Sequence, residues 1–196
     1  MLELLWKLAA DNPDTLAALA GFGASLTALI AIALTIYSLA IQRRHNRLSV
    51  RPIASIGYVD LQSEISVWVK NFGIGPMKIE EITARCEESG DIKPTIIEHM
   101  LAKGIGGHWT HFSGNLEGRT MPTGGTWHLL KLKGDALDPD FCAKRDSVRR
   151  ALLSLELRIT YSDVYGKVIG TEVRNLAWFG RHYYDYDFNE QKLITP

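Results

Sequence analysis

From Thr15 to Ile41 the chain runs for 27 residues without a charge, TLAALAGFGASLTALIAIALTIYSLAI. As a helix rising about 1.5 Å per residue, the run is roughly 40 Å long. A bilayer's hydrocarbon core is about 30 Å thick, so the segment can cross it with some tilt. Helices buried in soluble cores rarely extend so far without a polar stripe. Ser38-Leu39-Ala40 carries small residues at alternate positions, as a signal-peptidase site would. But the run is about twice the length of a signal core, and the residues before it are acidic. The reading is a transmembrane helix over 15–42.

Charge orients it. Lys7 is the one Lys or Arg before the run, whereas Arg43, Arg44, Arg47 and Arg51 follow it closely. The positive-inside rule then places residues 1–14 outside the cell's inner membrane and the remainder in the cytoplasm. Residues 43–51 read as a basic juxtamembrane linker, its four arginines able to touch anionic lipid at the membrane surface. Cys86 and Cys142 would sit as free thiols in a reducing compartment, and only an outward-facing domain would favour joining them. The whole-chain balance of 22 Lys+Arg against 22 Asp+Glu hides this segregation. It also lacks the basic excess of a nucleic-acid binder, so no direct nucleic-acid binding is expected.

Leu2, Leu5, Trp6 and Ala9 share a helical face and suit a short interfacial helix in the stub, ended by Asn12-Pro13-Asp14. Asp14 or Thr15 can cap the spanning helix. Within the span, small residues recur in two adjoining rows: Ala17, Gly21 and Ser25, and Ala20, Ala24 and Ala28. Such rows let helix backbones approach in lipid, so a homo-oligomer formed through the span is expected.

Residues 52–196 read as a β-rich domain. Strand patterns run over Pro52–Leu61, Glu64–Phe72, Met77–Cys86 with a break at Glu80-Glu81, Thr126–Lys133, Leu153–Tyr161 and Lys167–Leu176. A charged helix over Pro139–Ala151 offers Phe141, Val148 and Leu152 as apolar contacts, and a shorter helix is read over Thr95–Lys103. The expected fold class is an N-terminal transmembrane helix plus a mainly-β cytosolic domain. That domain would be an antiparallel sandwich or open barrel with one or two short helices.

The run VWVKNFGIGPMKIEEI, Val67–Ile82, resembles the strand–turn–strand of immunoglobulin-like modules. The chain is also similar to small bacterial membrane-anchored proteins that combine an N-terminal span, a basic stop, N-x-G-x-G-P and a later Y-x-D-x-x-G. The last motif stands here as Tyr161-Ser162-Asp163-Val164-Tyr165-Gly166. In both hairpins Gly73, Gly75 and Gly166 would supply positive φ, and Asn71 and Asp163 would bond the turn backbone. The resemblance implies a fold and carries no catalytic residues.

Chemistry, if present, is expected between Glu87 and Gly125, the least regular stretch, which holds eight of the 17 glycines. His99, His108 and His111 lie there and His128 just beyond. His108-Trp109-Thr110-His111 could supply two imidazoles to a metal. H-x-x-H without a supporting carboxylate matches no standard metal motif, so no metal or other cofactor is expected. Lys103-Gly104-Ile105-Gly106-Gly107-His108, with His111 and Arg119, forms a candidate ligand loop for a nucleotide or cytosolic protein. It matches no phosphate-loop pattern. Neither G-x-S-x-G nor H-E-x-x-H occurs, so no catalytic residue is assigned and the protein is read as a non-enzyme. The aromatic tail Trp178–Phe188 would pack on the sandwich or present a recognition surface.

Three functions fit these observations. The first is a membrane-anchored, non-enzymatic sensor whose cytosolic domain binds a partner or small ligand and is coupled to a self-associating span. The second is a membrane-disrupting effector of antiphage defence, whose layout of short span plus cytosolic sensor this chain resembles. The third is a membrane-tethered metal-dependent hydrolase using the histidine cluster.

Overall fold

The computed structural model describes residues 13–187, 190 and 192–194; the interfacial helix expected from Leu2 to Ala9 lies outside the described residues. The chain forms two compact units, Met1–Leu48 and Ser49–Pro196.

The first is one helix, α1, Pro13–Ser49, of 37 residues. Pro13 opens it, where a missing N–H costs nothing, and Asp14 lies in the first turn, favourable for the helix dipole. None of its side chains is buried, and it is long and apolar enough to cross a membrane. Three of its hydroxyls bond within the helix: Ser25 Oγ donates to the Gly21 carbonyl, Thr27 to Gly23 and Thr35 to Ala31, each at 2.8 Å. Hydroxyls satisfied in this way add no unpaired polar group in lipid. The basic segment expected as a linker is helical as far as Ser49. No Gly or Pro interrupts the chain between Gly23 and Pro52, and the helix stops just short of Pro52, where the preceding residue is steered away from helical ψ.

The second unit is mainly β, built from two antiparallel sheets. Its long strands are β1 (Ala54–Asp60), β2 (Glu64–Asn71), β3 (Met77–Cys86), β7 (Thr126–Lys133), β8 (Leu155–Ser162) and β9 (Val168–Asn175). Short pieces fill the edges: β4 (Ile92–Lys93), β5 (His111–Phe112) and β6 (Thr120–Met121). One sheet has the order β1-β2-β7-β5 and the other β4-β3-β8-β9, with β6 also on β3. Helix α2 (Ile96–Ala102) lies between β4 and β5 in sequence, and α3 (Pro139–Leu152) between β7 and β8. A 3-10 helix, Ala177–His182, follows β9, and β10 (Asp185–Asp187) pairs with β11 (Lys192–Ile194).

Alternation puts the apolar faces together. Ile65, Val67 and Val69 of β2 and Leu130 and Leu132 of β7 share one core with Met77, Ile79, Leu155, Leu157 and Ile159 of the other sheet. Phe141, Val148 and Leu152 of α3 join it. The sheets remain separate, so the architecture is a sandwich rather than a barrel. The break read at Glu80-Glu81 is a β-bulge: Ile79 pairs Tyr161 but Glu81 pairs Thr160, leaving Glu80 as the extra residue. The bulge lets Met77 and Ile79 on one side, and Ile82 and Ala84 on the other, all reach the core. The Ser162 hydroxyl and Lys78 ammonium bond the Glu80 carboxylate and hold it below the usual carboxylate range.

Candidate functional site

The N-x-G-x-G-P motif forms a corner. Asn71 ends β2 fully buried, and its side chain bonds in three directions. Its Oδ1 accepts from Gly73 N at 2.9 Å and Ile53 N at 3.2 Å, while Nδ2 donates to the Gly75 carbonyl at 2.7 Å. Its backbone pairs with the loop before β7, through Asn71 N to Gly125 O and Gly124 N to Asn71 O. Gly73 and Gly75 do not take the positive φ expected of them; Gly166 does, at 75°. The reason for glycine at 73 and 75 is close approach. A Cβ at Gly73 would strike the Arg51 carbonyl, and one at Gly75 would strike the carbonyl of Val50. The corner therefore grips Val50–Ile53, the stretch by which the chain enters the sandwich. The second motif is also a turn device. Buried Asp163 accepts at Oδ1 from Tyr165 N at 2.9 Å and Lys167 N at 3.0 Å, closing the β8–β9 hairpin.

Between residues 87 and 125 the candidate ligand residues separate into two regions. Helix α2 starts on a Thr95 N-cap: the Thr95 hydroxyl accepts from Glu98 N at 3.2 Å and donates to the Glu98 carboxylate at 3.0 Å. The helix ends on a Schellman motif, with Gly104 at φ 72°. There Gly104 N donates to Leu101 O and Ile105 N to Met100 O. These amides belong to the helix C-cap, where carbonyls rather than free N–H groups face outward. Lys103 Nζ donates to Ser154 Oγ at 3.3 Å. Gly107 and His108 lie beside Lys144, whose ammonium donates to the His108 carbonyl at 2.7 Å and stands 4.6 Å above the Trp109 ring. Burial in this setting pushes the Lys144 ammonium below its ordinary range. Lys103, Gly104, Gly106, Gly107 and His108 thus form one corner, to which the fold adds Lys144. Arg119 lies elsewhere: its carbonyl accepts from Ile79 N near the start of β3, whereas α2 adjoins Ala84 towards the end of that strand.

His111, on β5, pairs with Lys131 of β7 and stacks on His128, ring centroids 6.2 Å apart. His99 is buried, with Nε2 2.8 Å from the Ala84 carbonyl. The four loop histidines therefore do not converge. Among the described residues no group of three or more His, Cys, Asp or Glu side chains is arranged to hold a metal ion.

His128 is half-buried, and its Nδ1 has no hydrogen-bond partner among the described residues. Burial, then the charges of Lys131 and His111, push the imidazole below its ordinary value. A base depressed in the folded state contributes stability that is present above its unfolded pKa and is lost as pH falls through the folded value. Between about pH 7 and about pH 5.5 the melting temperature should fall, starting near the unfolded histidine pKa of about 6.5. His128→Gln should remove that share of the slope. A substituted protein with the parent's full slope would show that another group is responsible.

The most heavily bonded polar cluster lies at the sandwich end opposite Val50–Ile53, and its sequence signal is of a different kind. Asp60 ends β1 with its side chain fully buried. Its Oδ1 accepts from Arg149 Nε at 2.8 Å, while Oδ2 meets Arg181 and lies 3.1 Å from His182 Nε2. Arg149 also bridges to Asp146 at 3.0 Å, and Arg145 donates to the Gln62 backbone and side-chain oxygens at 2.8 and 2.9 Å. Burial raises the Asp146 carboxyl, but the Arg145 hydrogen bond and the nearby charges of Arg145 and Arg149 outweigh it and leave the group below its usual range. Arg181 lies over Trp178 at 4.3 Å, and Trp178 stacks on Tyr58. The tail is thus a 3-10 helix pinned by Arg181, with Phe179 fully buried. The network works as a staple between β1, α3 and this tail. The available signal was Arg145 and Arg149 falling on the same helical face as Phe141, Val148 and Leu152, since a charge on an apolar face needs a buried partner.

Cys86 and Cys142 are both free thiols. Compared with known proteins, the chain matches no family model and no curated protein.

Proposed function

We propose that this protein is a single-pass membrane-anchored binding module, whose sandwich recognises a cytosolic ligand or protein and whose spanning helix associates with further copies. The observation that carries the reading is α1, 37 residues long with no buried side chain. Such a helix within its own chain has nothing to cover it, and lipid and a second helix would do so. The rows Ala17–Gly21–Ser25 and Ala20–Ala24–Ala28 supply the close-packing face, and a Cβ at Gly21 would meet nothing within 4 Å in the single chain. Arg43, Arg44 and Arg47 on the last turns favour the N-terminus outside and the sandwich in the cytoplasm of the cell's inner membrane.

The sandwich supports the recognition half of the reading. Lettered in chain order, with β4 as C′, β6 omitted and β5 as D, its sheets run A-B-E-D and C′-C-F-G. That is the order of immunoglobulin-type sandwiches, whose end loops commonly make the contacts. The corner of Lys103, Gly106, Gly107 and Lys144 is the proposed ligand-facing region.

The test is energy transfer between labelled full-length copies in lipid vesicles. Gly21→Leu with Ala24→Leu should weaken association at least about tenfold, or about 1.4 kcal/mol. Leucines at Gly23 and Ile30, on the opposite side of the helix from these rows, should leave it unchanged. Association indifferent to the Gly21 and Ala24 changes would overturn the coupling.

A further inference from the structure

The two ends of the sandwich differ in chemistry. At the end entered by Val50–Ile53, register brings three tips together. Ala54 pairs Asn71, Thr126 pairs Lys70, and Ser162 pairs both Lys78 and Val168. The turns Phe72–Gly75, Pro122–Gly125 and Asp163–Gly166 therefore share one end. Their large apolar side chains point outward: Ile74 is 74% exposed, Phe72 57%, Tyr165 55% and Val164 53%. Arg51, Lys70 and Lys167 adjoin them, and Lys70 lies 4.8 Å above the Phe72 ring. Lys78 is paired with Glu80, and exposed Glu117 stands two residues from Arg119. At the opposite end, loops 87–91 and 135–140 carry Glu87, Glu88, Asp91, Asp135, Asp138 and Asp140 without a lysine or arginine, and Lys103, Lys133 and Lys144 flank them.

We propose that the entry end of the sandwich is a lipid-contact surface, with Phe72, Ile74, Val164 and Tyr165 at headgroup depth and Arg51, Lys70 and Lys167 on lipid phosphates. The occupant is an anionic bilayer, and chain length and charge identify it. Residues 42–49 continue α1 for about 12 Å, and Val50–Pro52 add at most roughly 10 Å. Pro52 is thus tethered within about 22 Å of the last residue of the uncharged run. The opposite end of β1 lies about 20 Å further along the strand, and its loops carry six carboxylates against three flanking lysines, the less favourable balance for an anionic surface. Aromatic and apolar tips flanked by cations suit the interface of such a leaflet.

The inference rests on α1 spanning the membrane, so the experiment reads both. Full-length protein with Cys142→Ser carries one added cysteine, at Ala31, Ile74 or Leu137; Cys86 is buried and Leu137 is 89% exposed beside the far-end loops. Each is labelled with an environment-sensitive fluorophore and reconstituted in vesicles containing phosphatidylglycerol and nitroxide-bearing lipid. Ala31→Cys and Ile74→Cys labels should lose fluorescence to the lipid quencher, Ile74→Cys chiefly to a nitroxide near the headgroups, and the Leu137→Cys label should not. Replacing phosphatidylglycerol with phosphatidylcholine should reduce the loss at Ile74→Cys alone. An Ile74→Cys label as unquenched as Leu137→Cys, with Ala31→Cys quenched, overturns the surface and leaves the anchor standing. No quenching at Ala31→Cys overturns both, and quenching at Ile74→Cys that ignores lipid charge overturns the phosphate contacts.

Discussion

Asp60→Asn should lower the unfolding free energy of the sandwich by about 3 kcal/mol, the low end of the range for breaking a buried ion pair. The carboxylate has no exposed side-chain surface, and it meets two guanidiniums and an imidazole. The Asn amide can accept from one guanidinium, but its NH2 group then faces the other cation. Among the described residues Arg149, with 5% side-chain exposure, retains only Asp146 as a charged partner. Arg181 loses its anion and with it the tie between β1 and the 3-10 helix. The measurement is denaturant unfolding of the full chain in detergent, followed by tryptophan emission, since Trp178 lies directly under Arg181. Arg149→Met should cost less, because Asp60 keeps Arg181 and its neighbour His182. A double substitution, Asp60→Leu with Arg149→Met, should recover part of the loss, because the buried charges disappear together. A change below about 1 kcal/mol for Asp60→Asn would mean that water reaches the pair, as it does in surface salt bridges.

Asn71→Ala should be comparably severe, at about 3 kcal/mol, and for a different reason. It leaves the Gly75 carbonyl and the Gly73 and Ile53 amides without their partner, and each unsatisfied buried group costs about 1–3 kcal/mol. Asn71→Asp separates the contributions. A carboxylate can still accept from Gly73 and Ile53, but it cannot donate to Gly75, so an intermediate loss is expected. Gly75→Ala keeps every hydrogen-bonding group and should still destabilise, because its methyl would overlap the Val50 carbonyl. In all three, a protease of broad specificity should cut within Val50–Ile53 sooner than in the parent, since the released stretch is the one the corner holds. Destabilisation without faster cutting there would place the damage elsewhere in the sandwich.

The parts of this fold visible in sequence are those whose physics repeats along the chain. Alternation in Leu155, Leu157 and Ile159 identified a half-buried strand, and the apolar positions 141, 148 and 152 identified the inner face of α3. The interruption at Glu80 was visible because a bulge breaks period two and nothing else does so over a single residue. Strands β4, β5 and β6 were not visible, since two residues cannot display a period and their pairing is decided by long strands already in place. The polar network was hidden because its partners are far apart in sequence, Asp60 reaching Arg149 across 89 residues and Arg181 across 121. The glycines at 73 and 75 were recognised as turn residues, but the reason was misread. Positive φ is local and could be guessed, whereas the carbonyl of Val50 arrives from another part of the chain. The same applies to Lys103–Gly107: its glycine density signalled a special backbone, and the backbone serves a helix end.

The Asn71 corner also sets an order of events during synthesis. Helix α1 leaves the ribosome first, and Asn71 follows soon after. The backbone groups that complete the corner belong to Gly124 and Gly125, roughly 75 residues behind Val50. At about 5–20 residues per second, that separation corresponds to roughly 4–15 s. Throughout that interval Val50–Ile53 can meet Asn71, Gly73 and Gly75, but the Asn71 backbone still lacks its partners, so the seat of the entry stretch stays incomplete. The entry to the sandwich is therefore fixed only on the arrival of one short loop, made long after the strand it completes.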